Sequence, residues 1–191
     1  MFENDDYIEM TFSDLSYHRA DFSGKEFQEC VFKNCIFENV IFRNSIFENC
    51  EFDSCSLILP DFKNTTIDDV YFRECKITGL NFGDMNDFSM SFGFKKSKLL
   101  SCSFVGLDIK STSFAGSMIV DSVFRECNLH QADFEGVAFK STSFSVNDLT
   151  CSNFKDASGF FINPCENKLK GAAFSTAAAL ELLKQFEIEY V

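Results

Sequence analysis

Residues 30–52 read CVFKNCIFENVIFRNSIFENCEF, with phenylalanine at 32, 37, 42, 47 and 52. A spacing of five fits neither the 3.6-residue turn of a helix nor the two-residue alternation of a strand. The pattern runs far beyond this stretch. From Phe12 to Phe82 every fifth residue is large and apolar, with Tyr17, Leu57, Ile67 and Ile77 standing among the phenylalanines. From Leu99 to Phe154 every fifth residue again qualifies. The second series is displaced by two in phase, so the register breaks within 83–98.

With the fifth-residue position called i, position i−2 is mostly small: Cys30, Cys35, Val40, Ser45, Cys50 and Cys55, and after the break Cys102, Thr112, Ser117, Ser122 and Cys127. Side chains two apart on an extended segment face the same way. Positions i−2 and i therefore both point inward, one small and one large. Positions i+1 and i+2 are mostly polar and must turn the chain, and i+2 carries Asn34, Asn39, Asn44, Asn49 and Asn64. Asn, Asp and Gly suit corners with unusual backbone angles. Repeated corners wind such a chain into a coil with a column of phenylalanine inside, successive coils lying roughly 4.8 Å apart. Each buried Phe contributes roughly 1.5–3 kcal/mol. A period of six would instead indicate a hexapeptide β-helix.

The length of 191 residues suffices for one domain with a real core. The formal net charge is −12, which disfavours nucleic acid and acidic lipid as partners. No apolar run reaches the roughly 18 residues of a membrane span, and the N-terminal MFENDDYIEM has no basic leader before an apolar stretch. These features predict a cytoplasmic protein.

No catalytic constellation emerges, and the expectation is a protein that is not an enzyme and needs no cofactor or metal. Seven of the nine cysteines fall at i−2, where Cys reads as a small core residue interchangeable with Ala, Ser or Val. Only Cys151 and Cys165 are off this pattern and are the sole nucleophile candidates. His18 and His130 fall at the outward i+1 position, isolated from one another. There is no Gly-rich phosphate loop and no paired-His motif.

Charge is the more informative signal. Residues 1–82 carry 16 Asp and Glu against 7 Lys and Arg, so the acidity lies in the N-terminal half. The break, GDMNDFSMSFGFKKSK, puts Asp87 at a core position, where a carboxylate is costly to bury, so the coil must bulge or loop there. That segment also displays Lys95, Lys96 and Lys98. A functional loop and a plain register correction are both open readings.

The five-residue pattern resembles the pentapeptide repeat family, whose consensus is A-(D/N)-(L/F)-x-x. ADFSG (20–24) and ADFEG (132–136) match it closely, and the resemblance covers about residues 7–175. It implies an all-β fold, a right-handed quadrilateral parallel β-helix with four pentapeptides per coil and a rod about 40 Å long. Twenty residues per coil would stack Glu9, Glu29, Asn49 and Asp69 at i+2, beside Gln28, Glu48 and Asp68 at i+1, as one negative stripe. Averaged over such a rod the net charge is roughly one per 3.3 Å, about half the density of duplex DNA. An ordinary solubilising acidic surface is the plain alternative.

After Phe154 the pattern weakens, then STAAALELLKQFEIEYV changes character. Ser175 or Thr176 can cap a helix over roughly 177–186. The expected division is a β-helix over 1–175 and a capping or dimerising helix and tail over 176–191. The segment NPCENKLKGAAFS (163–175) before that helix is similar to the quinolone-resistance (Qnr) and microcin-immunity branch of the family. That resemblance implies a DNA-shaped homodimer that binds DNA gyrase or topoisomerase IV and protects it from quinolones or a peptide toxin. On that reading Glu9, Glu29, Glu48, Asp68 and Asp69 attract the partner. Phe88, Met90, Lys95 and Lys96 of the break supply specificity, and Leu180, Leu183, Phe186, Ile188 and Tyr190 form the dimer contact. The alternative is an acidic β-helical scaffold for another cytoplasmic partner.

Overall fold

The computed structural model describes residues 4–184. Short strands pair in parallel with strands twenty residues away, as Phe27 does with Tyr7 and Phe47, so four pentapeptides close each coil. About eight coils stack into a β-helix with four faces. The first face holds Asp6–Ile8, Glu26–Gln28, Ile46–Glu48 and Thr66–Asp68. The second runs from Thr11–Ser13 through Val31–Lys33, Glu51–Asp53 and Val70–Arg73 to Phe92–Lys95. The third is an unbroken seven-stranded sheet from Ser16–His18 to Ala138–Lys140. The fourth begins as single bridges through Asp21, Ile41 and Asp61 and becomes regular strands from Ser103–Val105 onward.

Corners repeat because i+2 adopts the left-handed region, at φ 51° in Asn34, 52° in Asn49 and 52° in Glu29. Asn reaches that region at little cost. Val146, φ 58°, and Leu59, φ 48°, hold the same corner with side chains that disfavour it.

Inside, the i rings obey one geometry along the axis and another around it. Rings twenty residues apart stack, as Phe32 on Phe52 at 4.6 Å and 11° and Phe104 on Phe124 at 4.6 Å and 1°. Rings on adjacent faces meet edge to face, as Phe27 with Phe32 at 5.4 Å and 70°. Both arrangements suit the aromatic quadrupole.

The i−2 side chains do more than fill corners. Ser97 Oγ donates to the Phe72 carbonyl (3.0 Å) and accepts the Cys75 N–H (3.1 Å). Thr65 Oγ1 donates to the Phe42 carbonyl (2.6 Å), and the Cys50 thiol to that of Phe27 (3.3 Å). Asn147 donates to Phe124 O (3.0 Å) and to Asn167 Oδ1 (3.1 Å) and accepts the Cys127 N–H (3.0 Å). Buried polar groups need partners, and these interior columns provide them. The equivalence of Cys with Ala and Val read from the sequence is thereby refined: Cys, Ser, Thr and Asn serve as donors at this position.

Two irregularities interrupt the coil. At the first, partners become twenty-two apart, as in Phe72 with Phe94 and Ile77 with Leu99. A 3₁₀ turn, Phe82–Asp84, is capped by Asn81, and Met85 still points inward. Asn86 N–H then bonds Thr65 O (2.9 Å) and Ser91 N–H bonds Ile67 O (3.0 Å), leaving residues 87–90 outside the coil. Asp87 is exposed, as its charge requires. The coil thus lacks a first-face ring there, and Phe92, at i−2, turns inward and stacks on Phe82 at 5.0 Å.

The second irregularity lies at 158–167. Ser158 pairs with Ala138, twenty away, but Phe161 pairs with Ser143, eighteen away, and Phe160 fills the interior. A turn at Asn163, whose Oδ1 accepts the Cys165 N–H (2.9 Å), restores the spacing at Lys168. The chain then enters a helix, Thr176–Lys184, with Ser175 Oγ accepting the Ala178 N–H (3.4 Å). Ala178 is buried and Leu182 packs on the core, so the helix covers the last coil.

Candidate protein-interaction surface

The first face gathers the acidic residues. Pairing aligns Ile8, Gln28, Glu48 and Asp68 in one outward column and Asp6, Glu26, Ile46 and Thr66 in another. Glu9, Glu29 and Asp69 stand on the adjoining corner, where the Glu9 N–H bonds Gln28 O and the Glu29 N–H bonds Glu48 O, each at 2.9 Å. Residues 5–9, 25–29, 45–49 and 65–69 carry eight carboxylates against one lysine, a net −7. The rest of residues 10–82, spread over the other three faces, carry seven acidic and six basic residues, a net −1. The five acidic residues singled out from the sequence do share one surface. Asp5, Asp6 and Glu26 belong to it too, and the twenty-residue spacing of 6 and 26 at i−1 is the signal that finds the latter two.

Lys25 pairs with Asp5 at 2.9 Å and holds that carboxyl below its ordinary range, through the hydrogen bond first and the charge second. Asp68 accepts the Ser91 hydroxyl (2.6 Å), which in turn accepts the Asp69 N–H (2.7 Å). The break therefore clasps the last coil of the acidic face. It leaves Phe88 81% exposed, while Met90 is half-buried against the core. With Ile8 at 60%, Phe88 gives the acidic surface large apolar side chains at both ends.

Lys95 and Lys96 lie elsewhere. Lys95 pairs with Arg73 on the second face, and Lys96 turns the corner toward the third. They are not brought together with the acidic column. Leu180 is half-buried and Leu183 is 37% exposed, whereas Phe186, Ile188 and Tyr190 lie outside the described residues.

A surface of this charge can attract basic groups. Burial pushes the Cys35 and Cys102 thiols up to about 11 and Cys50 up to about 12, which makes poor nucleophiles of them. Cys151 and Cys165 are exposed. Among the described residues His18 forms an ion-pair contact with Glu38 alone, at 3.3 Å. Among the described residues no group of three or more His, Cys, Asp or Glu is placed to hold a metal ion, and no helix is long and apolar enough to cross a membrane.

Residues 25–93 match the model of the pentapeptide repeat region, and 109–145 and 127–158 match that of pentapeptide repeats (8 copies). No curated protein matches the chain. Among solved structures, the fold is similar to that of full-length QnrB1, a plasmid-mediated fluoroquinolone resistance protein, with 15% identity, a TM-score of 0.64 and coverage of 96% of this chain and 100% of that one. A trypsin-treated QnrB1 variant gives 20% identity and a TM-score of 0.66 over 97% of this chain and 90% of that one.

Proposed function

The chain belongs to the pentapeptide repeat family, and from that premise we propose that it is a non-catalytic protein that binds DNA gyrase or topoisomerase IV through its first face and protects the enzyme from quinolones or a peptide toxin. The observation that carries this reading is the segregation of charge over residues 5–82, net −7 on the first face against −1 on the other three. Over four coils, about 19 Å, that is roughly one negative charge per 2.7 Å, approaching the 1.7 Å of duplex DNA. A rigid column of carboxylates at that density is complementary to a groove built for phosphates. Phe88 and Met90, at the end of the column, supply apolar contacts that phosphates lack and thereby a basis for specificity.

QnrB1 is named for fluoroquinolone resistance, and the shared fold supports extending a role in quinolone protection to this chain. Assembly as a homodimer through the C-terminal end, with Leu180 and Leu183 in the contact, is part of the proposal, as is a cytoplasmic location. The test is gyrase supercoiling with and without ciprofloxacin. Protection of supercoiling by micromolar protein is expected, and no effect on either inhibition or poisoning rejects the reading.

A further inference from the structure

The third face, opposite the acidic one, has the reverse character at mid-rod. Four consecutive strands there, Ser56–Ile58, Lys76–Thr78, Lys98–Leu100 and Met118–Val120, contain no acidic residue. Pairing places Lys98 on Lys76 in one outward column. It aligns Ile58, Thr78, Leu100 and Val120 in a second, on the far side of the same strands. The two columns stand about 6.6 Å apart, two residues along a strand. Both lysines are exposed, and among the described residues neither joins an ion pair, on a chain of net charge −12. Thr78 Oγ1, inside the apolar column, is buried without a hydrogen-bond partner. The sheet beneath runs unbroken across the 83–91 interruption, so the four strands present one continuous surface.

We propose that this face docks an extended acidic segment of a partner protein in which Asp or Glu alternates with apolar residues. An extended chain sends successive side chains to opposite edges. Laid along the rod between the two columns, such a segment turns its carboxylates to Lys76 and Lys98 and its apolar side chains to Leu100 and Val120. Duplex DNA fits poorly. Its affinity grows with the number of phosphates neutralised, this face offers two lysines, and phosphodiesters have no use for the apolar column. The proposal is independent of the topoisomerase reading, because it concerns the opposite face and is tested without that enzyme.

The experiment is a fluorescence-anisotropy titration of fluorescein-labelled EVEVEVE with the full chain at low salt. Saturable binding is expected, weakening about tenfold or more for ESESESE, which keeps the charge and loses the apolar side chains, and for the K76E/K98E chain. Both lysines are exposed, and a circular-dichroism melt matching wild type confirms that K76E/K98E is folded. The proposal is overturned if EVEVEVE does not saturate, if K76E/K98E binds it equally well, or if KVKVKVK or a 20-base-pair duplex binds in its place.

Discussion

Replacing Asn147 by alanine tests whether the interior corner columns are held by hydrogen bonds or by packing alone. Asn147 is 2% exposed and its carboxamide takes part in three bonds. Alanine leaves the buried Cys127 N–H without its acceptor, which costs about 1–3 kcal/mol, and removes the donation to Phe124 O, worth about 1 kcal/mol. Asn167 Oδ1 keeps the backbone N–H of Asn147 at 3.0 Å, so nothing further is orphaned there. The loss is about 2–4 kcal/mol, a fall of about 6–12 °C in Tm for a chain of this size. Asn147→Ser is expected to recover most of it, because Ser97 makes the same pair of bonds with a hydroxyl in another corner column. Thermal melts of the three proteins, with hydrogen exchange at the Cys127 amide, read both the global and the local effect. If Ala and Ser variants melt together, or if the Cys127 amide stays as protected in Asn147→Ala as in wild type, the hydrogen-bond account of these columns is wrong.

Val146 occupies a left-handed corner at φ 58° with 62% exposure, so Val146→Gly should stabilise by about 1 kcal/mol, visible as a raised Tm. Gly159 lies at φ 70° with the Phe139 carbonyl oxygen occupying the space a Cβ would need; Gly159→Ala should cost about 2 kcal/mol or more in denaturant titration. Native alkylation by iodoacetamide should add two groups quickly, at Cys151 and Cys165, with the seven buried thiols reacting only on unfolding, as intact-mass measurement would reveal. The hydrogen bond from Arg43, then burial in the opposing direction, sets Asp61 below its ordinary pKa overall. A lowered carboxyl stabilises above its unfolded value of about 3.9 and loses that contribution as pH falls below it. The stability difference between wild type and Asp61→Asn should therefore shrink in melts taken from pH 6 down to pH 2.

The period of five made the coil and its inward column legible, because a side chain as large as Phe at every fifth position admits few other arrangements. The acidic column was legible once twenty residues were assigned to a coil, since Glu29 and Glu48 then fall beside each other. The break was visible in phase but its geometry was not. Only the structure reveals that residues 87–90 leave the first face, that Phe92 turns inward to fill the interior, and that Lys95 and Lys96 land away from the acidic column. The shift at 158–167 showed only as a weakening of the pattern: the count of five lands on Gly159, and apolarity alone does not say whether Phe160 or Phe161 beside it points inward. Donation by Cys, Ser, Thr and Asn to carbonyls twenty-three or twenty-five residues away has no sequence signature beyond the mixture of those residue types.

The central claim is that the placement of charge on the first face, rather than the total charge, produces binding. Affinity for the gyrase A subunit should be measured by surface plasmon resonance for two triple variants of equal charge, Glu29→Lys/Glu48→Lys/Asp69→Lys on the first face and its corner, and Asp14→Lys/Glu74→Lys/Asp121→Lys on the others. Loss of binding in the first with near-wild-type affinity in the second is the predicted result. Equal weakening of both would show that only net charge matters and would contradict the account.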